Sequence, residues 1–333
     1  MTSPNSPTGV EGGKVDKTTL PKLVCEYNDV DNRPERGEHL IPQSSNGCVV
    51  VDGLDPILEN ISNESSEERV NSDDFVSHDP NLLLSNLRTK NKDRIIVGHL
   101  NINSLENKFQ PLVSLVQGNV DIFLCSETKI NSSFPSGQFL IEGYSSPFRR
   151  DRDTRGDTRG GGIILYVRAD IPCKEIKVDT LPNDIECFFI EVKLHNKKYI
   201  LVAGYCPHKE MTSYFLDHVG KALDKLLGDY DNILMIGDFN STKEEPCMRD
   251  FCDTYNLENL IKEPTCFKST ENPSSIDVML TNRKHSFQHS QAIETGLSDH
   301  HKMTVSVLKT FFRKKEPIKI SYRSYKKICS SRF

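Results

Sequence analysis

Residues 186–205 read ECFFIEVKLHNKKYILVAGY. Two apolar, strand-length runs, ECFFIEVKL (186–194) and KYILVAGY (198–205), follow one another with no room for a helix between them. Runs of this length, rich in Ile, Val and aromatic residues, read as strands. The same texture continues outward in both directions: RIIVGHL (94–100), DIFLCS (121–126), GGIILYV (161–167), NILMIG (232–237), SIDVML (275–280) and MTVSVL (303–308). Two helix-like stretches lie among them. Residues 104–117 place Leu105, Phe109, Leu112, Val113 and Val116 on one face, and residues 211–227 do the same with Phe215, Val219, Ala222 and Leu226. Strands outnumber helices and few sit in strict βαβ alternation. The expectation is a layered α/β fold with substantial antiparallel pairing, not a Rossmann sheet.

This packed texture occupies only part of the 333 residues, of which 36% are hydrophobic. Residues 1–92 carry 9 Lys/Arg against 16 Asp/Glu, a net of −7, and contain only short apolar islands. Such a composition buries too little surface to offset chain entropy, so the segment is expected to be mostly disordered, with a short helix at LLLSNLR (82–88). Residues 93–309 net −5, and residues 310–333, with 8 basic residues against 1 acidic, net +7. The expected organisation is an acidic head at 1–92, one domain at 93–309 and a basic tail at 310–333. No apolar run approaches the ~20 residues that span a bilayer. The amino terminus lacks the pattern of a signal peptide. The ten cysteines are scattered without CxxC spacing and read as free thiols. A soluble nuclear or cytoplasmic protein is expected, neither secreted nor membrane-spanning.

Polar residues cluster at the strand ends. RIIVGHL runs into Asn101, DIFLCS into Glu127, KYILVAG into Tyr205, and NILMIG into Asp238 and Asn240. Asp277 sits within SIDVML, and Ser298-Asp299-His300-His301 precedes MTVSVL. Singly, each reads as a turn residue. Together they bring acid, amide, phenol and imidazole chemistry to the rigid rim where an α/β scaffold builds a site. A Gly/Arg/Asp loop at 149–162, RRDRDTRGDTRGGG, reads as a charged surface loop near substrate.

The ordered series HLNINSL, CSETK, VAGYCP, GDFN, SSIDVML and LSDHH resembles the endonuclease/exonuclease/phosphatase superfamily over about residues 94–309. Within it, LNINSLENK, GGGIILYVR and SDHH are most similar to the apurinic/apyrimidinic-type endonuclease domain of non-LTR (LINE-like) retrotransposons. The resemblance implies a four-layered α/β sandwich, two mixed and mostly antiparallel sheets packed face to face with helices outside. It implies a Mg²⁺-dependent phosphodiester hydrolase, with Mn²⁺ a plausible substitute. Glu127 matches the main metal ligand, with Asn101 beside it and Asp299 supporting the metal region. Asp238 matches the residue that orients or deprotonates the attacking water, and Asn240 the one that holds a phosphate oxygen. His300 matches the catalytic histidine and Asp277 its carboxylate, while His301 is expected to be structural. Tyr205 matches a tyrosine that contacts the phosphate or leaving group.

Residue types and resemblance together point to a DNA endonuclease that nicks its substrate to leave a 3′-hydroxyl, able to prime reverse transcription in a parent element. SYRSYKK in the tail resembles the connector that follows such a domain in retroelement polyproteins, and the basic tail also reads as a nuclear-localisation patch. Other readings stay open: abasic-site repair, RNA deadenylation, hydrolysis of a phosphorylated lipid or inositol, or a catalytically silent interaction protein. The mildly acidic net charge of residues 93–309 leaves the DNA-binding face undefined, because polyanion binders present a basic surface.

Overall fold

The structure is a computed structural model that describes residues 79–152, 160–194 and 197–312. Most of the acidic head, most of the basic tail and the centre of the 149–162 loop lie outside the described residues.

The chain begins with α1 (Pro80–Lys90), β1 (Arg94–Asn101), α2 (Phe109–Val116) and β2 (Ile122–Ser126). It continues through β3 (Phe148–Arg150), β4 (Ile163–Val167), β5 (Cys173–Glu175), β6 (Glu186–Leu194) and β7 (Lys197–Tyr205). Then come α3 (Thr212–Leu226), β8 (Asn232–Asp238), α4 (Pro246–Thr254), β9 (Glu258–Asn259), β10 (Asp277–Thr281), β11 (Phe287–Ile293) and β12 (Met303–Phe311). All eight expected strands are present. The stretch at 104–117 opens as a single 3-10 turn, Glu106–Lys108, and becomes α-helical only at Phe109. The helix expected at 82–88 extends over Pro80–Lys90, capped by the Asp79 carboxylate on the Asn81 amide at 3.0 Å. It buries Leu84 and Leu87 and sends Arg88 to Asp121, so packed chain begins upstream of the expected boundary at 93.

Two six-stranded sheets form, in the orders β11-β12-β1-β2-β4-β3 and β5-β6-β7-β8-β10-β9. Among the described strands only β1–β2 and β7–β8 pair in parallel. The β6–β7 pair runs antiparallel with Glu186 opposite Tyr205. Period-two alternation then builds four layers. On β1, Ile95 and Val97 face the other sheet, while Ile96 and Leu100 face outward to α1 and α2. On β8, Leu234 and Ile236 face inward, while Ile233 and Met235 face α3 and α4. A sheet covered on both faces needs apolar residues at nearly every position, which is why these strands read as continuous runs. Among the described residues no helix is long and apolar enough to cross a membrane, and all seven cysteines are free.

The inward rows end in polar residues at one rim of the sandwich. Ile95-Val97 on β1 continue to His99 and Asn101, Leu201-Ala203 on β7 to Tyr205, and Leu234-Ile236 on β8 to Asp238. Because β10 runs antiparallel to β8, its first residue, Asp277, pairs with the last, Asp238. The parallel pairs and this reversal bring polar side chains from both sheets to the same end.

Candidate active site

Asn101 closes β1 and bridges the two sheets. Its Nδ2 donates to Glu127 Oε1 on its own sheet and to Asp238 Oδ2 on the other, each at 2.9 Å. Tyr205 bridges them again, donating from its hydroxyl to Glu127 Oε1 at 3.0 Å. Glu127 follows β2 at φ 50° and Asn240 follows β8 at φ 47°, left-handed conformations that a side-chain-bearing residue adopts at a cost. The turn at Asn240 is held by its own amide on Asp238 Oδ1 at 2.9 Å and by its Nδ2 on the Cys206 carbonyl at 2.8 Å. Gly237 permits the close approach of β7 and β8 behind these residues. It sits at φ 149°, and a Cβ there would fall 1.8 Å from the Gly204 carbonyl oxygen.

Deeper in the rim, His301 Nδ1 and Asp277 Oδ2 form a hydrogen bond at 2.9 Å, both residues buried. This corrects the expectation for His300, which is exposed and does not reach Asp277. The cause lies in the backbone. Residues 300–302 run extended against 265–267, with Phe267 N donating to His300 O at 2.7 Å and Lys302 N to Thr265 O at 2.8 Å. Alternation in this bridged pair turns His301 inward beside Cys266, whose Sγ lies 3.6 Å from His301 Nε2, and turns His300 outward. Asp299 is not brought into the cluster either. Its side chain is 60% exposed and accepts from Asn103 Nδ2 at 2.9 Å, with Lys108 at 3.8 Å.

The electrostatics divide the carboxylates. Burial would raise the Glu127 pKa, but hydrogen bonds from Asn101 and Tyr205 and the charges of Lys129 and Lys268 outweigh it and hold the carboxyl below its ordinary value. Burial, followed by the charge of Asp277, pushes Asp238 up to about 7. Burial also opposes ionisation of Asp277, yet its hydrogen bond to His301 and that ring's charge leave it below the ordinary value. For His301 burial works against the charged ring, but the hydrogen bonds to Asp277 and Cys266 and the Asp277 charge raise it to about 10. The pair is therefore an imidazolium on a carboxylate. Burial, then the charge of Glu127, keeps the Tyr205 phenol well above its ordinary value and hence a donor.

Three contributors lay outside the expected set. Arg152, from the 149–162 loop, pairs with buried Glu186 and places its guanidinium carbon 5.7 Å from the Tyr205 ring centroid. A cavity of about 360 Å³ adjoins the cluster, lined by Asn240 and Cys266 together with Lys209, Ser241 and Lys268. His99, two residues before Asn101 on the same face of β1, is fully buried beside Asp277, and burial pulls its pKa down to about 4 against the attraction of that carboxylate. Its signal was its parity with Asn101.

Residues 98–300 match the Endonuclease/Exonuclease/phosphatase family. The chain belongs to the endonuclease/exonuclease/phosphatase family. This is a fold of phosphodiesterases and nucleases. No curated protein sequence matches the chain. Among solved structures it is similar to the endonuclease domain of TRAS1, a telomere-specific non-LTR retrotransposon, with 16% identity and a TM-score of 0.50 over 65% of this chain and 99% of that one. It is similar too to a Neisseria 3′ phosphatase, NExo, bound to product DNA hairpin, with 13% identity and a TM-score of 0.50 over 64% of this chain and 99% of that one. An AP endonuclease from Archaeoglobus fulgidus gives 16% identity and a TM-score of 0.47 over 64% and 99%. The two-sheet sandwich is common to the first two.

A divalent cation fits the residues present. Glu127 and Asp238 bring hard carboxylate oxygens joined by Asn101, whose Nδ2 faces them while its Oδ1 accepts from the Asn103 amide at 3.2 Å, and Glu127 keeps its side chain 17% exposed on the open side. Asp238, Asp277 and His301 also present donor atoms within 4.8 Å of one another. Because His301 Nδ1 is committed to Asp277, the oxygen set around Glu127 is the better cation holder.

Proposed function

We propose that this chain is a Mg²⁺-dependent DNA endonuclease that nicks one strand to leave a 3′-hydroxyl, with Mn²⁺ able to substitute. The observation that carries the reading is the junction of two unlike halves at one rim. An anionic, oxygen-rich half, Asn101–Glu127–Asp238, lies beside a buried imidazolium–carboxylate pair, His301–Asp277. Phosphodiester hydrolysis needs a positioned water, neutralisation of the charge that grows on the phosphoryl oxygens, and help for the departing oxygen.

Glu127 would hold the cation, its carboxylate oriented by Asn101, and the cation would supply charge neutralisation at the phosphate. Asp238, raised toward neutrality by burial and by Asp277, accepts a proton from the attacking water, with Asn240 beside it to hold a phosphate oxygen. His301 brings positive charge to the scissile phosphate, its tautomer fixed by Asp277. Tyr205 fixes the Glu127 carboxylate, so its first task is to orient that group. Lys268 lines the cavity beside the site, and Lys129, Lys209 and Arg152 stand near it in ion pairs with Glu127, Glu245 and Glu186, cations that a polyanionic substrate can engage. The loop position expected near substrate is supported by Arg152 over Tyr205. A retroelement origin rests on the sequence motifs and the likeness to the TRAS1 domain, and DNA is the proposed partner.

The test is relaxation of supercoiled plasmid with Mg²⁺ and with chelator, followed by polymerase extension from the nick. The proposal requires metal-dependent nicks that a polymerase extends without prior trimming, and their loss in Asp238→Ala. Intact plasmid, together with hydrolysis of an RNA tail or a phosphoinositide, would overturn the DNA assignment.

A further inference from the structure

His99 and Asp277 present a pair of atoms that nothing else in the described structure satisfies. His99 Nδ1 and Asp277 Oδ1 are both buried and both lack a hydrogen-bond partner, and they lie 3.7 Å apart. Each residue is fully shielded from solvent. The other ring nitrogen, His99 Nε2, lies 3.0 Å from the hydroxyl of buried Ser126. That hydroxyl has no alternative acceptor among the described residues, so it donates to Nε2 and leaves the proton on Nδ1. The opposite tautomer would set the Nδ1 lone pair against a carboxylate oxygen. Geometry alone therefore aims an N–H at the free oxygen of the carboxylate that holds His301.

We infer that His99 is a positioning residue, a cross-sheet strut whose Nδ1–H fixes the rotamer of Asp277 so that the opposite oxygen stays on His301. The inference rests on the endonuclease reading above and deepens it. Asp277 has few other restraints. Its backbone amide is held by Thr265 Oγ1 at 3.1 Å, and its carboxylate meets His301, the Thr265 side chain and His99, while the Asp238 carboxyl faces it across the ladder. Repulsion from Asp238 would swing the carboxylate unless a donor restrained its second oxygen. His99 is well placed to do so. It occupies a central strand, between β12 at Thr304 and β2 at Leu124, and its carbonyl is also reached by Thr304 Oγ1 at 3.4 Å. A donor 3.7 Å away in the resting site can close to a full hydrogen bond with a small rotation, as catalytic bonds commonly tighten with substrate bound.

The test uses the full chain with ¹⁵N-labelled histidine and three variants. His99→Asn keeps a donor where Nδ1 stands. His99→Gln keeps the contact toward Ser126 and loses that donor, and His99→Leu loses both. The wild type should show a neutral His99 ring protonated on Nδ1, and the low-field proton of the His301–Asp277 bond should persist in His99→Asn and broaden or vanish in His99→Gln and His99→Leu. In nicking kinetics, kcat should fall roughly 10–100-fold in the Gln and Leu variants, with KM unchanged and with recovery in the Asn variant. A His99 ring protonated on Nε2, equal losses in all three variants, or unaltered kcat in His99→Leu would overturn the strut. The spectroscopic arm needs no turnover, so it decides the matter even if the wild type nicks nothing, an outcome that would instead refute the endonuclease reading.

Discussion

Asp277 pairs directly with Asp238 in the β8–β10 ladder, so two fully buried carboxyl groups face one another at the rim of the sandwich. Of the two, Asp277 holds the hydrogen bond to His301, while at Asp238 burial and the Asp277 charge outweigh the pull of that ring. Asp238 is held partly protonated near neutrality, and stability without metal should reflect it.

Asp238 has a folded pKa of about 7 against an ordinary 3.8, so the folded state favours its protonated form. Its contribution is greatest below pH 3.8 and is lost as pH rises toward 7. His301, raised from 6.5 to about 10, contributes fully below pH 6.5 and loses its contribution as pH climbs through 10. Glu127 and Asp277 act in the opposite sense only below their ordinary range, near pH 4. His99, lowered from 6.5 to about 4, makes stability rise with pH between those values and offsets Asp238 there. Thermal melts in chelator should therefore stay nearly level from pH 5 to 6.5 and fall from pH 6.5 to 9. Asp238→Asn, a neutral isostere, should turn the level part into a rise and stabilise the metal-free protein at pH 8 by a few kcal/mol at most. A flat wild-type profile would contradict this placement of the carboxylates.

Tyr205→Phe removes the donor that orients Glu127 and leaves the phenyl ring in the inter-sheet core. The fold should persist, and the Mg²⁺ concentration for half-maximal nicking should rise roughly 10–100-fold. Saturating metal should restore most of kcat. Unchanged metal dependence would show that Tyr205 acts on the substrate and not on the carboxylate.

Lys268 is exposed, lines the cavity beside Asn240 and lowers the pKa of Glu127. If it contacts a phosphate of bound DNA, Lys268→Ala should raise KM with little change in kcat, and the slope of log KM against log salt should decrease by about 1. An unchanged slope would place the DNA track elsewhere on the rim.

Apolar runs bounded by polar residues made eight of the nine strands of five or more residues legible, because a sheet covered on both faces leaves no ambiguity about burial. The short strands β3, β5 and β9 escaped notice because two or three residues carry no periodicity, and β11 because its pattern, FQHSQAI, is broken by a register shift between Gln288 and Gln291. Helix α4, PCMRDFCDT, is short and polar on its open face. Among the candidate residues, Asn101, Tyr205, Asp238 and Asp277 end or begin a strand, and Glu127 and Asn240 follow one within two residues, which is what singles them out in the sequence. The choice between His300 and His301 could not be made this way. The parity of MTVSVL sends Met303, Val305 and Val307 toward the helices, and the chain changes direction at Lys302 to bridge residues 265–267. A contact between segments thirty-five positions apart in the chain decides which ring faces Asp277. Asp299 likewise reads as a site acid until its partner is seen to be Asn103.

The most direct test of the account is plasmid nicking by His301→Ala and His300→Ala, measured beside the wild type with Mg²⁺ and with chelator. The account predicts metal-dependent nicking by the wild type, a loss of roughly 10²–10⁴-fold in His301→Ala and near-wild-type rates in His300→Ala. Loss of activity in His300→Ala, with His301→Ala folded and still active, would contradict the account.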